Sequence, residues 1–224
     1  MRKFAISDIH GTRRTFLALL DKIQLTTADE LYLLGDYIDR GPDSKGVIDE
    51  IWQLQAAGYQ VHCLRGNHEQ LLLDLIAAPT EYWGIAYPDR QMYRSFGIKA
   101  AHDLPLVYYE WMQQLPFFFT VDEYLLVHAG LNFRAAFPLL DRSAMLWIRD
   151  WRAVIDRSWL KGRIIVHGHT PTPRNVIENY LATVDQTPVL VIDNGCVYPH
   201  IQGMGSLCAL ELMERQLFFQ ELVG

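Results

Sequence analysis

The sequence has few cysteines, no long apolar run and no excess of positive charge. Its three cysteines, Cys63, Cys196 and Cys208, are odd in number and form no CxxC pair, which argues against a disulfide framework and against a cysteine-held zinc site. No uninterrupted apolar stretch approaches the ~18 residues of a membrane span. A net charge of −6 argues against general binding to nucleic acid or to an anionic membrane. We therefore expect neither nucleic acid nor membrane as a partner.

The N-terminal apolar run is also too short for a targeting segment. It follows Met1-Arg2-Lys3 and already ends at Asp8, whereas a secretory signal needs a longer apolar stretch. With reduced thiols, this predicts a cytoplasmic protein. A length of 224 residues predicts a single domain, residues 1–224, with a sizeable core.

The sequence does contain a recurring arrangement, in which a short apolar run is followed by a polar residue that can bind metal. Such runs lead to Asp8, Asp36, Asn67, His128 and His169. Helical patterns separate the first three runs, which predicts parallel βαβ units. Ligands bind at the carboxyl ends of parallel strands. We therefore expect these five side chains to lie at one edge of a sheet.

The second half of the chain predicts a further sheet. Strand-like runs cover Phe117–Val121, Tyr124–His128, Ile164–His167, Val189–Asp193, Leu207–Leu212 and Leu217–Leu222. Helical patterns cover Leu104–Leu115 and Arg142–Ser158, and residues 79–103 show no clear periodicity and suggest a surface cap or irregular loop. We expect an α/β fold in which two packed sheets carry helices on their outer faces.

Three short segments concentrate carboxylate, imidazole and amide groups, and two histidine segments follow them. They are Asp8-Ile9-His10-Gly11, Gly35-Asp36-Tyr37-Ile38-Asp39-Arg40-Gly41, Gly66-Asn67-His68-Glu69, His128-Ala129-Gly130 and His167-Gly168-His169-Thr170. Oxygen and imidazole ligands without thiolate suit Mn²⁺, Fe or Zn²⁺. Flanking glycines let the backbone turn sharply and approach an ion or phosphate closely.

These five segments, in this order, resemble the metallophosphoesterase superfamily. The Asp-Arg-Gly and Asn-His-Glu details resemble its Ser/Thr protein phosphatase branch, and in particular the small bacteriophage lambda type phosphatases and their bacterial relatives. The resemblance covers about residues 3–200. It implies the calcineurin-like fold, a four-layer α/β-β/α sandwich of two mixed sheets flanked by helices.

The resemblance also implies a role for each site residue. It assigns Asp8, His10 and Asp36 to one divalent ion and Asn67, His128 and His169 to a second, with Asp36 bridging. His68 matches the general acid and Asp39 the carboxylate that orients it. Arg40, Arg149 and Asn67 match groups that bind the substrate phosphate. The predicted cofactors are two divalent ions, with Mn²⁺ first and Fe or Zn²⁺ as alternatives.

The implied reaction is hydrolysis of a phosphomonoester by metal-activated water, with phosphorylated proteins or peptides as substrates. One alternative is a hydrolase of dinucleoside polyphosphates that resembles the diadenosine tetraphosphatases. As the family is known, that branch lacks the acidic residue in the middle of the second motif, so Asp39 favours the monoesterase. A further alternative is an inactive, metal-bound interaction module, although every expected ligand is present.

Two positions depart from the family pattern or compete within it. Ser7 stands where the family usually has glycine, and its small side chain is expected to fit. His167 and His169 flank Gly168, and the family pattern selects His169 as the ligand. Taken singly, Asp36 and Asp39 can be turn residues, Asp8 and Asn67 helix caps, and His128 a core histidine. The joint pattern favours the metal site.

Overall fold

The computed structural model describes residues 1–78 and 89–224. The strands are β1 (Lys3–Ile6), β2 (Glu30–Leu33), β3 (Gln60–Cys63), β4 (Phe118–Val121), β5 (Tyr124–Val127), β6 (Ile164–His167), β7 (Val189–Val191), β8 (Ser206–Glu211) and β9 (Gln216–Glu221). The α-helices are α1 (Arg13–Lys22), α2 (Ser44–Ala56), α3 (Asn67–Ala77), α4 (Arg90–Phe96), α5 (Leu106–Gln114), α6 (Arg142–Trp147), α7 (Arg157–Leu160) and α8 (Arg174–Ala182). Within the described residues, none of these helices combines the length and the apolar character that a membrane span requires.

The strands form two mixed sheets. The first has the order β3-β2-β1-β8-β9, in which β1, β2 and β3 are parallel and β8 runs antiparallel to both β1 and β9. The second has the order β4-β5-β6-β7, in which β5, β6 and β7 are parallel. The carboxyl ends of the parallel strands in each sheet therefore meet at one edge.

Alternation along the strands divides the core into three layers. Phe4 and Ile6 of β1 pack with the helices on the outer face of the first sheet. Ala5, between them, packs with Leu126 and Val166 of the second sheet. Side chains from the other face of that sheet pack against α6 and α7. The two sheets therefore pack face to face with helices outside both, which confirms the predicted four-layer fold.

Two local predictions differ from the structure in part, and one helix was not predicted. The helical pattern over Arg142–Ser158 is divided: α6 ends at Trp147, where Ile148 is extended, and α7 begins where the Asp156 side chain accepts from the Trp159 N–H at 3.0 Å. Of residues 79–103, predicted as a surface cap or irregular loop, Arg90–Phe96 form α4, and residues 79–88 lie outside the described residues. Helix α8 was not predicted, although it begins directly after Pro173, a residue common at helix starts.

Candidate metal centre

The polar residues that follow the parallel strands lie at one edge shared by the two sheets. Asp8 follows β1, Asp36 follows β2, and Asn67 is the first residue of α3 beyond β3. His128 directly follows β5, and His169 follows β6. All five are buried. The edge predicted from the sequence pattern is therefore the place where these side chains meet.

Asp36 lies at the centre of this cluster. Its Oδ2 is 3.5 Å from His10 Nε2, and its Oδ1 is 3.6 Å from His128 Nε2. Two groups of residues that can hold a metal ion, His10–Asp36–His68 and Asp36–His128–His169, share this carboxylate. Burial opposes its ionisation, but the interactions with His128 and His68 and the hydrogen bond from the His68 backbone N–H outweigh burial and hold the pKa of Asp36 below its usual range.

Two of the histidines face Asp36 through Nε2. Nδ1 of His10 donates to the Ile38 carbonyl and Nδ1 of His128 to the Leu34 carbonyl, each at 2.9 Å. Because a carbonyl oxygen only accepts, Nδ1 of each ring carries a proton, and Nε2 of each ring faces the cluster. Burial lowers the pKa of His10 to about 3, so this ring is neutral. A backbone carbonyl behind the imidazole is the usual support of a metal-binding histidine.

The second group converges on one amide oxygen. His128 Nε2 lies 2.9 Å and His169 Nδ1 2.8 Å from Oδ1 of Asn67. Burial lowers the pKa of His169 to about 4, and its Nε2 is buried without a hydrogen-bond partner among the described residues. Electron-rich atoms that face one another in a buried site are stabilised by a cation between them. The residues present therefore fit a divalent ion in donor type and in arrangement.

Asp8 belongs to neither group and contacts His169 instead. Both of its carboxylate oxygens lie 3.1 Å from the backbone N–H of His169, which donates to them. The Ser7 hydroxyl also donates to Asp8. A Cβ on Gly168 would collide with both Ser7 and Asp8. The serine that replaces the family's usual glycine is accommodated, and glycine is required at position 168.

His68 and Asp39 form the pair expected of an acid and the carboxylate that orients it. His68 Nδ1 lies 2.7 Å from Asp39 Oδ2, while His68 Nε2 contacts the Arg40 guanidinium at 3.1 Å. Burial opposes protonation of His68, but Asp36 and Asp39 outweigh it and raise its pKa. His68 Nε2 is also 3.9 Å from Asp36, so distance alone would admit it as a ligand. The contact with Asp39 favours proton transfer.

Glu69 holds the site together, although the sequence assigned it no role. Its carboxylate accepts from the backbone N–H groups of Asp36 at 2.9 Å, Tyr37 at 2.8 Å and Gly66 at 2.9 Å. Burial, with a contribution from Asp36, raises its pKa to about 7. In the sequence, its position directly after the Asn-His pair was the signal that could have indicated a role in the site. Its function as a link between two motifs becomes visible only in the fold.

Backbone strain is concentrated at the same place. Among the described residues, ten other than glycine have a positive φ, and six of them were predicted as site residues: Asp8, His10, Asp36, Asp39, Arg40 and His169. Such conformations cost roughly 1–3 kcal/mol each and persist where the surroundings impose them. The strain is consistent with a loop structure shaped for binding and not for stability alone.

Arg149 and His167 lie at the margin of the site. The Arg149 guanidinium donates to the His169 carbonyl at 3.2 Å and is exposed. His167, in contrast, contacts Arg152 through Nε2 at 3.2 Å and does not face Asn67. The structure therefore brings His169, and not His167, into the cluster.

The sequence family follows from a direct comparison. The profile of the Calcineurin-like phosphoesterase family matches residues 1–195. The chain belongs to this family. The calcineurin-like fold and the two groups of residues that can hold a metal ion agree with membership of this family.

Curated relatives resemble this chain over part of its length. A symmetrical bis(5′-nucleosyl)-tetraphosphatase from Nitrosomonas europaea is 35% identical over 134 residues, covering 58% of this chain and 45% of that protein. One from Cellvibrio japonicus is 31% identical over 132 residues, covering 58% of this chain and 46% of that protein. This chain therefore matches slightly less than half the length of either relative. The Ser/Thr phosphatase branch expected from the motifs is not established by these relatives.

Solved structures share the fold at low sequence identity. A provisionally assigned diadenosine tetraphosphatase has a TM-score of 0.67 at 19% identity, covering 100% of this chain and 95% of that one. A protein serine/threonine phosphatase from Saccharomyces cerevisiae has a TM-score of 0.70 at 16% identity, covering 100% of this chain and 81% of that one. At such identities the similarity shows the fold alone.

Proposed function

We propose that this phosphoesterase hydrolyses dinucleoside polyphosphates with the help of two divalent ions. The observation that carries the proposal is the 35% identity over 134 residues with the tetraphosphatase from Nitrosomonas europaea. This substrate class is the alternative that the sequence analysis kept beside phosphoproteins. The comparisons support it better than the monoester interpretation.

An exposed tryptophan beside the site supports a nucleotide substrate. Trp147 is 41% exposed, and its ring centroid lies 6.3 Å from that of His169. Exposed aromatic rings stack on nucleobases and contribute about 1–3 kcal/mol per base. A base on Trp147 would be adjacent to a phosphate held at the metal centre.

We assign the metal ligands as the sequence predicted them. Asp8, His10 and Asp36 would hold one ion and Asn67, His128 and His169 the other, since Asp36 lies between the two groups. Two bound divalent ions lower the pKa of a coordinated water toward ~7 and neutralise charge on the reacting phosphate. Mn²⁺ remains the ion we propose first.

Arg40 and His68 complete the proposed chemistry. Arg40 contacts Nε2 of both His10 and His68, at 2.9 and 3.1 Å, and forms no ion pair with a carboxylate among the described residues. It can therefore exchange these contacts for phosphate oxygens, which guanidinium binds bidentately. Nε2 of His68 can then donate a proton to the departing oxygen, while Asp39 holds Nδ1.

Hydrolysis of phosphomonoesters is the second candidate, and one observation favours it. The 2.7 Å contact between His68 and Asp39 provides an oriented acid. An alkoxide leaving group needs such a proton, whereas a nucleotide phosphate leaves more easily without one. The two substrate classes therefore differ in how much they need a proton from His68, which Asp39 orients.

The test compares substrates on one purified protein loaded with Mn²⁺. We expect diadenosine tetraphosphate to have a kcat/KM at least about tenfold above that of a phosphothreonine peptide, which corresponds to ~1.4 kcal/mol of transition-state stabilisation. Chromatography should show two ADP molecules as the products. A higher kcat/KM for the peptide would replace this proposal by the second candidate.

The tryptophan provides a matched variant for the same assay. Trp147→Ala should raise KM for diadenosine tetraphosphate about tenfold, because one stacked base is lost. With p-nitrophenyl phosphate, which carries no base and one phosphate, KM should stay within about twofold. Equal effects on both substrates would remove Trp147 from the nucleotide site.

A further inference from the structure

A cavity adjoins the metal centre on the side of β6. It has a volume of about 360 Å³ and is lined in part by Arg149, Arg152, His167, Thr170 and Tyr180. Thr170 follows the candidate ligand His169 directly, and Arg149 donates to the His169 carbonyl. A volume of this size falls within the range of small-ligand sites. The cavity therefore borders the candidate metal centre.

Among the described residues, Arg152 contacts two rings in this cavity and no carboxylate. Its Nη2 lies 3.2 Å from His167 Nε2, and its guanidinium lies 4.1 Å from the centre of the Tyr180 ring. Nδ1 of His167 donates to the Gly168 carbonyl, so its Nε2 accepts from Arg152. A guanidinium fixed by stacking and one hydrogen bond keeps its other N–H groups available.

The two cavity arginines lack the carboxylate partner that four other arginines of the chain have among the described residues. Arg2, Arg13, Arg174 and Arg215 each pair with a carboxylate. Over residues 1–78 and 89–224, neither Arg149 nor Arg152 does so. Asp150 also lines the cavity, but it is exposed and one carboxylate faces two guanidinium groups. The net charge of the cavity wall suits an anion.

We infer that this cavity binds the phosphates of a polyphosphate chain that lie beyond the one attacked. Arg149 would contact the reacting phosphate and its neighbour, and Arg152 the phosphate after that. Guanidinium groups bind phosphate oxygens bidentately, so successive arginines follow a phosphate chain. The inference rests on the proposed function, because a phosphomonoester has no further phosphate to place there.

The test measures how orthophosphate and tripolyphosphate inhibit the cleavage of p-nitrophenyl phosphate. Free Mn²⁺ is held constant, so chelation by the probe is equal for all variants. Arg152→Ala should raise the Ki of tripolyphosphate about tenfold and change that of orthophosphate less than twofold. Arg152→Lys should give an intermediate Ki, because lysine keeps the positive charge but lacks the paired N–H groups that bind a phosphate bidentately. Bound metal, measured by elemental analysis, should be unchanged.

A matched variant removes the same charge from a different cavity. Arg157 is exposed, lies on α7 and lines a separate cavity. Arg157→Ala should leave both inhibition constants within twofold of the parent. Equal losses for the two probes in Arg152→Ala, or no loss for either, would overturn the inference.

The outcome also separates this inference from the proposed function. Cleavage of diadenosine tetraphosphate by the parent, with no selective effect of Arg152→Ala, would overturn the cavity assignment and leave the function standing. A selective loss of tripolyphosphate binding, without cleavage of diadenosine tetraphosphate, would support the cavity as a site for a different polyphosphate and overturn the dinucleotide proposal.

Discussion

Asp39 is the residue that we expect to decide how well the protein cleaves substrates with a poor leaving group. Its Oδ2 contacts His68, while its Oδ1 is buried without a hydrogen-bond partner among the described residues. Its backbone has a φ of 69°, a conformation uncommon for an aspartate. A buried and strained carboxylate is retained at a cost in stability, which is typical of a functional residue.

Replacement of Asp39 tests whether it supports the acid. Asp39→Asn should lower kcat for an alkyl phosphate by about 10²-fold or more, because His68 loses the carboxylate that orients and charges it. Cleavage of p-nitrophenyl phosphate and of diadenosine tetraphosphate should fall much less, since both leaving groups depart with little protonation. Steady-state kinetics on the three substrates make the comparison.

An equal loss of kcat for all three substrates would assign Asp39 and His68 a different role. In that case the pair would position the phosphate or the ions and would not supply a proton. Bound Mn²⁺ in the variant, measured on the same preparation, separates these two possibilities.

At the scale of elements, Glu69 joins the loop after β2 to the start of α3. It accepts from four backbone N–H groups in two segments that are remote from each other in sequence. The two segments carry Asp36, which both candidate ligand groups share, and Asn67, which we assign to the second ion. The spacing of the two candidate ion sites therefore depends on a carboxylate that is not itself a proposed ligand.

Glu69→Gln should weaken this connection. The amide nitrogen cannot accept, so at least one N–H is left unsatisfied in the core, at a cost of about 1–3 kcal/mol. Mn²⁺ affinity should fall about 10–100-fold, as is usual when a group that supports ligands is altered. Urea unfolding and calorimetric titration measure the two effects. Wild-type Mn²⁺ affinity in a folded variant would show that Glu69 stabilises the fold alone.

The start of the first sheet has a separate electrostatic anchor. Asp29, just before β2, accepts from Arg2, just before β1, at 2.7 Å and from the Thr26 N–H at 2.9 Å. The hydrogen bond from Arg2 is the main cause that holds the pKa of Asp29 well below its usual range. Its side chain is 5% exposed, whereas that of Arg2 is 43% exposed.

This anchor should make stability depend on pH. Since the pKa of Asp29 is lower in the folded than in the unfolded chain, its contribution is complete above pH ~4 and is lost as the pH falls. Asp29→Asn should therefore lower the free energy of unfolding by about 1 kcal/mol at pH 7, a value reduced by the exposure of Arg2. Urea unfolding at pH 7 and at low pH should show that the difference from the parent shrinks in acid.

A surface pair provides the control for Asp29. Asp185 contacts Arg215 at 2.8 Å but its side chain is 85% exposed. Asp185→Asn should change stability by less than about 0.5 kcal/mol at either pH, because solvent screens the pair. A pH-independent difference for Asp29→Asn would indicate that its effect is not electrostatic.

For the whole molecule, ion binding should be coupled to stability. Ions that bind only the folded chain stabilise it by about 2.7 kcal/mol at 100 times their Kd. For a chain of this size that corresponds to a rise in Tm of about 5–10 °C. Adding Mn²⁺ to chelator-treated protein should produce this rise and restore activity, and chelator should reverse both.

Asp36→Asn should abolish most of the rise in Tm, because it removes the shared carboxylate, and elemental analysis should show loss of Mn²⁺. His102→Ala is the matched control, since that side chain is 78% exposed and lies outside the cluster. An unchanged Tm on addition of Mn²⁺ to the parent, with activity insensitive to chelator, would contradict the metal centre.

Much of the fold and of the candidate site was determined by the sequence itself. Short apolar runs ending in Asp8, Asp36, Asn67, His128 and His169 predicted both the strands and their common edge. This works because side-chain alternation and strand length are local properties, and because parallel strands bring their carboxyl ends together. The family resemblance then supplied the proposed role of each residue.

Other features were decided only by tertiary contacts. Arg152 contacts His167 and Tyr180, which lie in segments distant from it in sequence. Glu69 contacts the backbone N–H groups of Asp36, Tyr37 and Ile38 because the pairing of β2 with β3 brings the two loops together. Local sequence determines which elements form, whereas the partners of a buried polar group depend on what the completed fold places beside it.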